Sequence, residues 1–576
     1  MKVKVARTAG FCSGVRRAVN IALDSARDQP GPIYTLGPLI HNPHVVRMLE
    51  ADGVVSVRDI PDAGSVVIRS HGVGPDVIEE VERRGLELVN ATCPRVAAVH
   101  KIARTRHERG ALVVVLGDPG HAEVDGIVGH AGGEAIVVRG PEDVAGLPAA
   151  DMVCLVAQTT QERERFQQTA RAVREKYREL PPDRITIADT ICDSTRNRQE
   201  EVRRLAKQVD AMVVVGGRDS ANTRRLAEVA VEEGVPAFLV DTEEDLDRAA
   251  LARFKTVGLT AGASTPNWLI RRVHDELVQI GRPESWKSRA VFALRFLVLG
   301  NIYMAVGAAA LTLAAARMQG FSPYWREYAI SLLFTFAVHT MLSLADPRAL
   351  ALNVPARAKS FTRFRTHWIA ASIAAAAAAV ALAFTFRPAS GLAMLMIVVM
   401  SLLYPVRLFP VKKGALPARS LAEAPGSKDI FMALGWATLT VALPVINHLA
   451  RQRPVPATLA ALVMVSGLVF VRALLRDFRD IQADRLIGRD TLPILLGVTR
   501  TRRLLYATLI AVAVILAAAA MAGFVPAPLG YLLLIPLAYA AACVPLFTRE
   551  TILQGFRAEA IIDAAFIIAG IIALAA

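Results

Sequence analysis

Two hydrophobic patterns divide the chain. Up to about residue 282, short apolar runs alternate with charged, helix-like segments; from 290 onward, long runs of Ala, Leu, Val and Ile dominate. The first pattern is that of a soluble α/β domain, the second that of helices in a bilayer. In the first part, runs at 2–6, 33–36, 65–68, 88–90, 112–116, 152–157, 185–188, 211–215 and 256–259 predict strands. Helical patterns follow several of them, as at 15–27 and from about 197. In the second part, nine runs near 291–315, 328–345, 367–386, 390–406, 430–448, 457–471, 504–523, 529–547 and 558–576 predict membrane helices. The expected layout is an α/β domain at 1–282, a linker at 283–289 and an all-α membrane bundle at 290–576.

Charge sharpens this picture. The net charge is +14, but much of the basic excess lies in loops between apolar runs, which points to a bilayer and away from nucleic acid. With the soluble head on the inside, the inside loops near 346–365, 407–428, 472–503 and 548–557 hold 20 Lys and Arg, and the outside loops hold 5. The positive-inside rule then places the head in the cytoplasm and the chain in the inner membrane, crossing it several times. The start, Met1-Lys2-Val3-Lys4-Val5, has no apolar segment of the secretory kind. Five cysteines in 576 residues give no disulfide framework, which suits a reducing compartment.

Polar residues gather where predicted strands end, the position of ligand sites in parallel α/β sheets. Cys12, Cys93 and Cys192 each follow such a run, 81 and 99 residues apart. That spacing suggests three α/β modules closing on one centre. Three thiolates without a fourth leave one iron of a four-iron cluster open, able to act as a Lewis acid and to pass electrons. Structural zinc is the competing metal, but no C-x-x-C pair is present. Cys154 lies inside a strand-like run and reads as core. His41, His71 and His121 sit in turns, as do Ser220, Asn222 and Ser264. Together with helix N-termini, this donor set suits a diphosphate. Glu123 is the carboxylate placed for proton delivery.

The segments Gly10-Phe11-Cys12-Ser13-Gly14-Val15, Ile40-His41-Asn42, Ser70-His71-Gly72-Val73, Ala91-Thr92-Cys93-Pro94, Gly120-His121-Ala122-Glu123-Val124, Gln158-Thr159-Thr160, 195–200 and 260–266 resemble 4-hydroxy-3-methylbut-2-enyl diphosphate reductase, the LytB-type terminal enzyme of the non-mevalonate isoprenoid pathway. The resemblance covers about 1–282. It implies a [4Fe-4S] cluster on Cys12, Cys93 and Cys192, and substrate binding by His41, His71, His121, Ser220, Asn222 and Ser264. It also implies that Thr159 positions the substrate hydroxyl and that Glu123 delivers protons. The implied reaction is a two-electron reductive dehydroxylation giving isopentenyl and dimethylallyl diphosphates, with an external electron donor of the ferredoxin or flavodoxin type. One departure is Ala221, where the family usually carries a second serine; weaker diphosphate binding is expected.

In the second part, Asp477, Asp480 and Asp484 are spaced three and four apart, on one helix face. Such acids can hold Mg²⁺ and, through it, a diphosphate. With Gly488-Arg489-Asp490-Thr491-Leu492-Pro493 following, and with Tyr404 and Lys428 upstream, this stretch resembles the second aspartate-rich motif of UbiA-type prenyltransferases. The family's first motif aligns with 342–357. There Asp346, Asn353, Pro355 and Arg357 are kept, and Leu342, Ser343 and Leu350 replace an Asn and two Asp. The resemblance implies Mg²⁺ and prenyl transfer to a lipophilic acceptor; the alternative is a non-catalytic anchor that binds prenyl lipids.

Overall fold

The computed structural model describes residues 1–29, 31–280, 286–404, 426–448, 455–548 and 555–576. Residues 283–285 of the expected linker, and most of the expected loops 407–428, 449–456 and 548–557, lie outside the described residues. The chain forms two units, Met1–Arg282 and Pro283–Ala576.

The first unit holds twelve strands: β1 (Lys2–Val5), β2 (Ile33–Leu36), β3 (Val54–Val57), β4 (Ser65–Ile68), β5 (Glu87–Asn90), β6 (Leu112–Leu116), β7 (Ile136–Val138), β8 (Val153–Ala157), β9 (Ile185–Ile187), β10 (Ala211–Val215), β11 (Ala237–Val240) and β12 (Thr256–Ala261). They make three four-stranded sheets, ordered β3-β2-β4-β5, β7-β6-β8-β9 and β11-β10-β12-β1. Every pairing is parallel. The three orders are one pattern repeated, and the third sheet is completed by the first strand of the chain. Central strands such as β4, β8 and β10 are buried along their whole length, as parallel strands covered on both faces are.

Three strands, β3, β7 and β11, escape the sequence reading. Each is the edge of its sheet and next to a central strand, so its residues are only partly covered and its apolar signal is diluted. Two helices begin earlier than expected. Helix Ser13–Asp28 is capped by Cys12 and helix Asp193–Ala206 by Cys192, and helix Pro94–His107 is capped by Cys93. All three cluster-candidate cysteines are therefore helix N-caps.

The described residues of the second unit are built of helices and their connections. Seven of the described helices are long and apolar enough to cross a membrane, and the bent pair Arg289–Leu299 and Ile302–Met318 makes an eighth if counted as one span. The ninth expected run, 390–406, is helix Pro388–Leu403, whose 16 residues fall short of a crossing by length. The core packs through small residues. A Cβ at Gly307 would stand 3.2 Å from Phe566, and one at Gly570 would stand 2.5 Å from Ala310, so helices Ile302–Met318 and Phe556–Ala575 approach closely, as membrane helices do at small side chains. Helix Val455–Leu486 runs well past the expected 457–471. Its charges find partners inside the bundle: Arg472 bonds Asp563 at 2.7 Å, and Arg479 bonds Glu559 at 3.3 Å.

Candidate active site

Repetition of the sheet pattern assembles the site. His41, His121 and Ser220 each stand five residues past the end of β2, β6 and β10. His71, Thr160 and Ser264 each stand three past the end of β4, β8 and β12. The fourth strand of each sheet, β1, β5 or β9, leads to one cysteine. Each cysteine amide then donates to the carbonyl two residues past the neighbouring strand: Cys12 to Ala263 at 3.0 Å, Cys93 to Ser70 at 2.9 Å, and Cys192 to Thr159 at 3.0 Å. Three equivalent bonds thus tie the three cysteine turns to the turns that follow the neighbouring strands. All eleven residues expected in the reductase site line one cavity.

The thiols share a crowded setting. A Cβ at Gly14 would lie 2.5 Å from Cys93 Sγ and 3.9 Å from Cys12 Sγ, so only glycine leaves room beside both. Burial raises the Cys93 thiol above its ordinary range; the backbone N–H groups of Arg95 and Val96 work against that, and nearby Cys12 and Cys192 add to it. Repulsion among three gathered thiolates is relieved by a positive metal centre. The donor set, three single sulfurs at helix N-termini, fits a cluster with three protein ligands. Cys154 lies on β8, fully buried, with its thiol pushed up to about 11 by burial, and is core.

Facing the thiols are the three histidines. Ring centroids lie 4.5 Å apart for His41 and His71, and 5.5 Å apart for each with His121. Their ring nitrogens lie within 4.8 Å of one another, close enough for one small ion or the oxygens of one phosphate. Burial lowers all three: His41 to about 4, and His71 well below its usual range, the neighbouring rings adding to the effect at His41 and His71. His121 Nδ1 accepts the Glu123 N–H at 3.1 Å, which assigns the proton of the neutral ring to Nε2. His41 Nε2, His71 Nδ1 and Asn222 Nδ2 are buried without a hydrogen-bond partner among the described residues. Buried polar atoms left so are costly unless a ligand completes them. Ser264 Oγ donates to the His41 carbonyl at 2.9 Å, and Ser220 Oγ accepts Thr223 N–H at 3.4 Å. Ala221 lines the same cavity and brings no hydroxyl.

Glu123 is 1% exposed. It accepts Thr159 N–H at 2.6 Å and Thr159 Oγ–H at 3.0 Å. Burial raises it to about 7 despite these bonds, with Asp118 adding to the rise. A carboxyl poised there can hold or release a proton near neutral pH. Thr159 serves two elements, since its side chain and amide grip Glu123 while its carbonyl caps the Cys192 helix.

One supporting residue escaped the sequence reading. Arg198 is buried and donates to the carbonyls of Thr8, of Gly10 at 2.7 Å and of Ala261 at 3.3 Å. It fastens the Cys12 turn from a helix about 190 residues away. It lies within the segment 195–200 that carried the resemblance, but a buried arginine bonding backbone is invisible without coordinates.

In the second unit the expected acids sit at one end of the bundle. Asp477, Asp480 and Asp484 lie on helix Val455–Leu486 and are buried, and Asp346 caps helix Pro347–Asn353. The two motifs face each other: Asn353 donates to Asp484 Oδ1 at 3.1 Å, and Arg489 pairs with Asp346. Asp429, buried on helix Ser427–Ala437, joins this group unannounced by either motif.

Comparison with known proteins agrees with both halves. The LytB protein family model matches residues 3–278, and the UbiA prenyltransferase family model matches 353–559. The 4-hydroxy-3-methylbut-2-enyl diphosphate reductase of Geotalea uraniireducens is 43% identical over 287 residues, covering 50% of this chain and all of that protein. A solved (E)-4-hydroxy-3-methyl-but-2-enyl diphosphate reductase, the terminal enzyme of the non-mevalonate pathway, is 38% identical, covering 48% of this chain and all of its own, with a TM-score of 0.39. A UbiA homolog from Archaeoglobus fulgidus, solved with DMAPP and Mg²⁺, is 15% identical, covering 49% of this chain and 99% of its own, with a TM-score of 0.34. LytB-type reductases are known to use a [4Fe-4S] cluster, and UbiA-family domains are associated with Mg²⁺. The chain is a multi-pass membrane protein that belongs, through its first half, to the 4-hydroxy-3-methylbut-2-enyl diphosphate reductase family, and that carries a UbiA prenyltransferase-family domain behind it.

Proposed function

We propose that Cys12, Cys93 and Cys192 hold the cluster and that the cavity they share with the histidines is where 4-hydroxy-3-methylbut-2-enyl diphosphate is reduced. The observation that carries this reading is the set of buried, unpartnered donors on His41, His71 and Asn222 in the same cavity as the three thiols. Bound there, the cluster would relay electrons from an external carrier one at a time and act as a Lewis acid toward the substrate hydroxyl. The chain does the rest. His41, His71, His121, Ser220, Asn222 and Ser264 take the diphosphate, and Thr159 orients the hydroxyl. Glu123, held at about 7 by burial, passes protons through Thr159. Two electrons and two protons enter, the C–O bond breaks, and water leaves with isopentenyl or dimethylallyl diphosphate.

The electrons come from an external carrier of the ferredoxin or flavodoxin type, and the head faces the cytoplasm, where its thiols stay reduced and the basic loops belong. The membrane half transfers a prenyl group to a lipophilic acceptor. Two experiments test these assignments. Anaerobically reconstituted full-length protein is expected to lose both turnover and iron–sulfur spectrum in Cys93→Ser; retention of both overturns the cluster assignment. Membranes given radiolabelled prenyl diphosphate are expected to label lipid; no labelled lipid under any condition leaves the anchor as the reading.

A further inference from the structure

The acid end of the membrane half is already served by cations of the chain itself. Lys428 Nζ bonds Asp477 Oδ1 at 2.6 Å, and Asp484 and Asp429 are the other acids whose charge acts on that ammonium. Asp429 is 1% exposed, and its Oδ1 has no hydrogen-bond partner among the described residues. Arg479 grips Asp480 through two donors, at 2.8 and 2.9 Å. Arg489 pairs with Asp346.

A bound Mg²⁺ needs near-octahedral oxygens at about 2.1 Å. The aspartates are already engaged by groups of the chain: Asp477 by Lys428, Asp480 by Arg479, Asp484 by Asn353 and Asp346 by Arg489. Two acid positions of the first motif are Ser343 and Leu350, which cannot make up the number. The aspartates here do not fit a divalent ion.

We propose that this end of the bundle binds a prenyl diphosphate without divalent metal, with Lys428 and Arg489 bridging aspartate to phosphate as Mg²⁺ does elsewhere. The inference rests on reading the membrane half as a prenyl-diphosphate domain. Its geometry is that of a bridge. The Lys428 side chain is 44% exposed while its partner Asp477 is 2% exposed. Arg489 is likewise half-exposed at 41%. Each cation is anchored by a carboxylate on one side and reachable on the other. An ammonium has three donors and a guanidinium five, so one bond to aspartate leaves others for phosphate oxygens. The carboxylates hold the cations in place and spread their charge, as second-layer acids do for a bound metal.

The test uses the full chain in lipid nanodiscs and a benzophenone-bearing geranyl diphosphate. Crosslinked peptides are assigned to 1–282 or 290–576, so binding in the head is read separately. Labelling of the membrane half is expected to be the same in EDTA as in Mg²⁺, to within about twofold. Lys428→Met is expected to cut it by about tenfold or more in EDTA, the worth of a charged hydrogen bond. Arg489→Ala is expected to act in the same direction, and Lys428→Arg, which keeps the charge, to stay near wild type and so control for folding. Wild-type labelling that falls tenfold in EDTA and returns with Mg²⁺ overturns the inference while leaving the prenyl-diphosphate reading intact. No labelling of 290–576 in either condition overturns both.

Discussion

The two sites proposed for diphosphates differ in what they leave unsatisfied. The cavity of the head presents donors without partners, His41 Nε2, His71 Nδ1 and Asn222 Nδ2, all buried. The acid end of the membrane half presents mostly charges that have found one another, Lys428 with Asp477, Arg479 with Asp480 and Arg489 with Asp346, and what it leaves open is an acceptor, Asp429 Oδ1. A site that leaves buried donors open has its ligand's chemistry written into it, because folding has accepted the desolvation cost in advance. A site whose charges are internally matched folds without a ligand and must exchange partners to bind one.

The sharpest way to break this contrast is at the thiols. Cys93→Ser is expected to remove the iron–sulfur spectrum and to lower reductase turnover by at least about a thousandfold, read anaerobically on the full chain; it removes one of three ligands that nothing nearby replaces. Glu123→Gln comes next, with a loss of about 10²–10⁴ in turnover. The same change has an opposite effect on stability. An acid at about 7 in the fold against an ordinary 4.5 binds its proton more tightly folded than unfolded. Its penalty is absent below about pH 4.5 and complete above about pH 7, and amounts to about 3 kcal/mol. The glutamine variant is therefore expected to melt higher than wild type at pH 8 and no higher at pH 4; a variant that melts lower at pH 8 refutes the buried-acid account.

His71→Ala is expected to cost about 10–100-fold in kcat/KM through one charge-assisted bond to phosphate. Because burial keeps the three rings neutral near pH 7, binding of the anionic substrate should draw protons onto them. Calorimetry in two buffers of different ionisation enthalpy is expected to show proton uptake, and affinity is expected to fall as pH rises from 6 to 8. The smallest effect is a gain: Ala221→Ser adds a hydroxyl to the cavity wall and is expected to tighten substrate binding by about fivefold, the worth of roughly 1 kcal/mol.

Much of the head was legible because its chemistry and its topology coincide. Central strands read as apolar runs, and the functional turns follow them at fixed offsets, so His41 and His121, or His71 and Ser264, announce one another. Edge strands β3, β7 and β11 were missed because half-covered residues carry a mixed signal. The membrane half was legible as apolar runs until charge entered them. Helix Val455–Leu486 looked finished near 471 because Arg472 and the charges beyond it read as a loop, whereas Asp563 and other buried partners supply the counter-charge from distant segments. Likewise the spacing of Asp477, Asp480 and Asp484 showed a shared helix face but not that Lys428 already occupies it. Pairing of that kind is set by helices far apart in sequence.

The partnership of β1 with β12 sets a timetable for making the protein. Lys2 lies opposite Thr256, and Arg198 with the Ala263 carbonyl holds the turn that carries Cys12. At roughly 5–20 residues per second of synthesis, the first strand waits tens of seconds for the last strand of its sheet to emerge. Cys12 stays an unplaced thiol throughout, so the three sulfurs cannot be brought together until the head is complete. A cluster held by these three sulfurs could therefore be inserted no earlier than the completion of the head, when the first membrane helices follow it out of the ribosome.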